Sequence, residues 1–100
     1  MSGSAQILFG EGLQLYRDGQ FELARVSFIK GLAENQGHWE MHLYLGMTHA
    51  RLGDLTNAKR EFLNVRDLCP DNELRKRAAS ALSAISPAVS QQGVKKLSGD

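Results

Sequence analysis

Residues 12–28 read GLQLYRDGQFELARVSF and residues 46–62 read GMTHARLGDLTNAKREF. Laid over one another, Gly12, Gly19, Ala24 and Phe28 coincide with Gly46, Gly53, Ala58 and Phe62, each 34 residues further along the chain. Four identities at one offset mark a duplicated supersecondary unit, and a period of this length belongs to helix pairs that bury their apolar faces only by stacking. Asp18-Gly19 and Gly53-Asp54 interrupt the helical pattern in the middle of each copy. Each unit is therefore two helices joined by a tight turn, and helices joined so closely run antiparallel.

Outward from these segments the periodicity continues. Leu8, Gly12 and Leu15 fall at i, i+4 and i+7, and Phe9, Leu13 and Tyr16 repeat that spacing one residue on, which gives the first helix two useful faces. Phe21, Ala24, Phe28 and Leu32 form the stripe of a return helix ending near Asn35-Gln36-Gly37. In the second copy His42, Leu45, Gly46 and His49 make one stripe, Leu43, Met47 and Ala50 another, and Leu55, Ala58, Phe62 and Val65 line the return helix. Cys69-Pro70 closes it, because the residue before a proline is pushed out of the helical region. Asp71 is placed to cap a fifth helix with Leu74, Ala78, Ala81, Leu82 and Ile85 on one face and Arg75, Lys76, Arg77, Ser80 and Ser83 off it. The predicted organisation is a flexible leader over residues 1–4, a domain over 5–85 and a disordered tail over 86–100. Within the domain, repeat one spans about 5–37, repeat two about 38–71 and a capping helix about 72–85. The fold class is all-α, a short α-solenoid of five helices.

Charge and cysteine usage exclude several classes. Lys and Arg total 12 against 11 Asp and Glu, a net +1, so no broad field attracts nucleic acid or an anionic membrane surface. Apolar runs of a few residues fall far short of the roughly 20 needed to span a bilayer, and the N-terminal stretch lacks the features of a signal peptide. Cys69 stands alone, so no intrachain disulfide forms, and the expected location is cytoplasmic. No charged run near Cys69 activates it as a nucleophile.

The motifs that could carry chemistry are incomplete. His38 and His42 have the i, i+4 spacing of metal ligands, but a site needs three or four donors, and His42 and His49 lie in an apolar stripe. His38-Trp39-Glu40 resembles half of a zinc-deaminase signature without its pair of cysteines. Gly10-Glu11-Gly12 lacks the third glycine and the preceding strand of a dinucleotide fingerprint. No serine elbow and no pair of carboxylates with contrasting environments is present, so the reading is of a non-enzyme with no metal and no cofactor. Arg75-Lys76-Arg77 reads as the wet face of a terminal helix.

The repeated landmarks resemble the tetratricopeptide repeat, a family whose unit is a 34-residue helix-turn-helix. Gly12, Gly19, Ala24 and Phe28 fill its positions in the first copy, and Gly46, Gly53, Ala58, Phe62 and Pro70 in the second. The likeness covers about residues 5–85. Departures are Gln36 at the place of the terminating Pro, Gly31 at a return-helix position usually held by Ala, and Ser80 where Gly12 and Gly46 stood. Gly31 costs about 1 kcal/mol of helix propensity, so the first unit is expected to be the softer. The resemblance implies that the first helix of each unit lines a concave groove, and hence that Phe9, Leu13, Tyr16, Leu43 and Met47, rimmed by Arg17 and Arg51, face a partner. These side chains cannot make the hydrogen bonds of a carboxylate clamp, so an apolar helix or segment of a partner protein is the expected ligand. The implied function is an adaptor, scaffold or co-chaperone-like binding module. The alternative is a homo-oligomeric assembly protein using the same surface, and neither reading involves nucleic acid or a membrane.

Overall fold

In the computed structural model, which describes residues 2–85, five helices follow one another: α1 (Ser2–Arg17), α2 (Phe21–Glu34), α3 (Trp39–Arg51), α4 (Leu55–Leu68) and α5 (Asn72–Ile85). No strand is present among the described residues. Each helix packs on its neighbour in the chain, and α5 also reaches back to α3. The fold is an all-α stack of antiparallel helix pairs with a fifth helix at its end. The tail expected over 86–100 lies outside the described residues, as does Met1. The expected leader is corrected at its other residues, since α1 begins at Ser2 and leaves no separate non-helical segment before Ala5.

The duplicated residues do the same work twice. Gly19 and Gly53 close the turns with φ of 79° and 82°, a backbone region that costs a side chain-bearing residue energy and a glycine almost none. Gly46 lets Phe62 lie against its backbone: a Cβ there would sit 2.6 Å from Phe62 Cε1, and one on Gly12 would sit closer still to Phe28 Cε1. Ala24 and Ala58 are fully buried beside these rings.

Two apolar clusters result. Ala5, Phe9, Ala24, Phe28 and Leu32 join Met41 and Leu45 in the first, and Leu43, Ala58, Phe62, Val65, Cys69, Ala78 and Leu82 form the second. Helix α3 contributes to both. Aromatic rings thicken the first: Tyr44 meets Phe9 at 5.9 Å and Tyr16 at 6.0 Å edge-on, the offset geometry that ring quadrupoles favour.

Gly31 has a packing reason that its helix propensity hides. It is buried, and a Cβ would fall 2.6 Å from Met41 Sδ, so the missing methyl is the space into which α3 inserts its methionine. The first unit differs from the second at a cap instead. Asp54 accepts from the Asn57 backbone N–H at 3.2 Å at the start of α4, whereas its counterpart Gln20 makes no side-chain cap to α2. Asp71 caps α5 through the Leu74 N–H at 3.1 Å, as its position implied. Cys69 is extended, with ψ of 132°, and buried, with its Sγ accepting from the Asp71 N–H.

Candidate functional site

The seven residues expected to face a partner divide into three kinds. Phe9 is buried in the first cluster, against Phe28, Tyr44 and the imidazole of His38. Leu43 is buried in the second cluster. Both sets of contacts are internal, because a short stack has to spend first-helix residues on its own cores, although Leu43 also borders the cavity between α3 and α5 described below. Leu13, Tyr16 and Met47 remain half-buried, and Arg17 and Arg51 are exposed.

Arg51 is nevertheless engaged. Its guanidinium lies 5.9 Å from the Tyr16 ring and 5.7 Å from the Phe21 ring, which are themselves edge-on at 5.2 Å. A rim residue of the second repeat thus stacks on the aromatic pair of the first.

The missing wall comes from α5. A shallow cavity of about 350 Å³ between α3 and α5 has Leu43 at its floor with Met47 and Ala81, and Lys76, Arg77 and Ser80 around it. A second, of about 200 Å³, shares Met47 and Ala81 and extends to Tyr16, Ala50, Arg51 and Ile85. Together they make one groove with an apolar floor whose only charged lining residues, among the described residues, are Lys76, Arg77 and Arg51. The basic run of α5 is split by this geometry, because Arg75 turns away and donates from Nε to the Arg66 carbonyl at 3.1 Å, satisfying the end of α4. In sequence Lys76 and Arg77 have the look of a solvated face. Their places one turn before Ser80 and Ala81, beside the apolar stripe, were the available signal.

The histidines serve structure. His38 accepts from the Met41 N–H through Nδ1 at 3.1 Å, which caps α3 and fixes the ring as the Nε2–H tautomer facing Gln6 Oε1 at 3.3 Å. His42 is held on both sides, with Nε2 2.8 Å from the Gln36 carbonyl and Nδ1 2.7 Å from Glu61 Oε1. A carbonyl only accepts, so Nε2 carries a proton, and the carboxylate facing Nδ1 favours a second proton there. Burial acts to lower its pKa, but the hydrogen bonds to Glu61 and Gln36 and the charge of Glu61 outweigh it, and the pKa is raised from the ordinary 6.5. His49 is pushed below 6.5, chiefly by burial, with Arg25 and Arg60 adding to the effect and Asp54 and Glu61 opposing it. Its Nδ1 has no hydrogen-bond partner among the described residues, with Asp54 Oδ2 at 3.8 Å. No group of three His, Cys, Asp or Glu able to hold a metal occurs among the described residues.

No family model, no curated protein and no solved structure matches the chain. No helix among the described residues is long and apolar enough to cross a membrane.

Proposed function

We propose that this protein is a non-catalytic protein-binding module of tetratricopeptide type, acting as an adaptor or scaffold, and that the groove between α3 and α5 takes an apolar segment flanked by acidic residues. The observation that carries this reading is the lining of the groove: an apolar floor built on Leu43, Met47 and Ala81, with Lys76, Arg77 and Arg51 as its only charges among the described residues. Apolar anchors supply affinity in such a groove, and charges at its edge select the partner and speed its arrival. A groove this shallow buries less than a standard interface, so exchangeable, micromolar binding is expected. The buried free thiol of Cys69 suits a reducing compartment, and the cytoplasm is our proposed location.

Self-association through the same groove is the weaker reading, because two grooves face to face would bring like charges together. Selection of a random peptide library against the protein tests the proposal. Enriched peptides should combine apolar anchors with Asp or Glu, and Met47→Glu or Arg77→Glu should weaken their binding at least about tenfold. Binding that neither substitution changes places the site elsewhere.

A further inference from the structure

Helix α2 has a second apolar face that the fold leaves uncovered. Leu23, Val26 and Ile29 are 54%, 43% and 50% exposed, and their i, i+3, i+6 spacing sets them in one oblique row. The duplication supplies an internal control. One repeat later the same positions hold Asn57, Arg60 and Leu63, and of these only Leu63 is apolar, packed partly against the second cluster. A helix pair of this kind therefore folds without apolar residues at the first two positions. A helix that is apolar on both faces is ordinarily buried on both.

We infer that the outer face of α2 docks a second copy of this chain, α2 against α2, about a two-fold axis through Val26. A two-fold contact demands a surface complementary to itself, and this row meets that demand. Leu23 and Ile29 stand three residues to either side of Val26, and Glu22 and Lys30 stand four. Antiparallel pairing sets Leu23 against Ile29 and Glu22 against Lys30, each twice, whereas parallel pairing sets Glu22 against Glu22. Lys30 makes no ion pair among the described residues, and Glu22 is held only by Arg25 of its own helix, at 2.6 Å and in solvent. One helix pair covers less than the roughly 1,200 Å² of a stable interface, so the dimer is concentration-dependent. No residue of the row lines the α3–α5 groove, so this inference stands apart from the proposed function.

Sedimentation velocity on the full chain from about 10 μM to about 500 μM tests it. The dimer fraction should rise across that range, and Leu23→Glu should raise the dissociation constant at least about tenfold while leaving helix content unchanged. Glu22→Lys and Lys30→Glu should each weaken the dimer alone, and an equimolar mixture of the two variants should restore it as a heterodimer. These exposed substitutions carry the test if Leu23→Glu fails to fold. A monomer throughout the range, whether residues 86–100 or nothing covers the face, overturns the inference. So does a dimer that survives Leu23→Glu, or one lost on Met47→Glu instead. A mixture that stays monomeric overturns the antiparallel register.

Discussion

The Phe62 ring lies against the bare backbone of Gly46, so near that a single methyl on that glycine would overlap it. The ring is buried, so it can yield only by repacking its neighbours or shifting toward the shallow cavity it borders beneath α5. Gly46→Ala should therefore destabilise the protein by about 1–3 kcal/mol, although alanine is the better helix former. Thermal denaturation followed by circular dichroism checks this. The double variant Gly46→Ala, Phe62→Leu should recover part of the loss, which separates overlap from a general intolerance of the site.

Gln20 and Asp54 share a backbone conformation, with φ, ψ of −88°, 68° and −90°, 77°. Only Asp54 uses it to cap a helix. Gln20→Asp should transfer the cap to α2 and stabilise the fold by about 0.5–1 kcal/mol, read as a higher melting temperature. An unchanged or lower melting temperature would show that the start of α2 is already satisfied by solvent.

The His42–Glu61 pair joins α3 to α4 and, through Gln36, to the loop between the repeats. A pKa raised by folding contributes stability that is fully present below the unfolded value of 6.5 and is lost as pH rises through the folded pKa. Glu61→Gln should cost about 1–3 kcal/mol at pH 5.5 and progressively less above neutrality. Melting curves of the variant and wild type that run parallel from pH 5.5 to 8.5 would be incompatible with a charged His42.

His49 works in the opposite sense. Its depressed pKa leaves the neutral ring favoured in the fold, so its contribution is intact above 6.5 and is lost as pH falls through the lowered value. His49→Leu removes both this titration and the unpartnered Nδ1. The variant should be as stable as the wild type or more so, with the larger gain below pH 6 in denaturant titrations.

The duplication was legible because its landmarks are backbone requirements. A glycine at a helix crossing and a glycine at φ near +80° leave a mark in the sequence whatever surrounds them. Asp71 and Cys69-Pro70 marked helix ends for the same local reason. The groove was less legible because its composition depends on tertiary placement. Phe9 and Leu43 have the spacing of Leu13 and Met47, and nothing local says that Tyr44 and His38 close over one, or that α5 closes over the other. Lys76 and Arg77 carry no mark distinguishing a rim from a solvated face until the tilt of α5 is known. The packing reason for Gly31 was hidden on the same ground: helix propensity is a property of one chain segment, while the space left for Met41 belongs to two.

Met41 and Leu43, two residues apart on α3, turn into different interiors. The copied stretch of sequence is consequently not an autonomous folding particle. Cleaving the chain in the loop at Gly37 would strip the N-terminal half of the Met41 and Leu45 side chains that complete its interior, and expose the Met41 face of the remainder. The two halves should melt as one, in a single transition that spans the seam left by their ancestry.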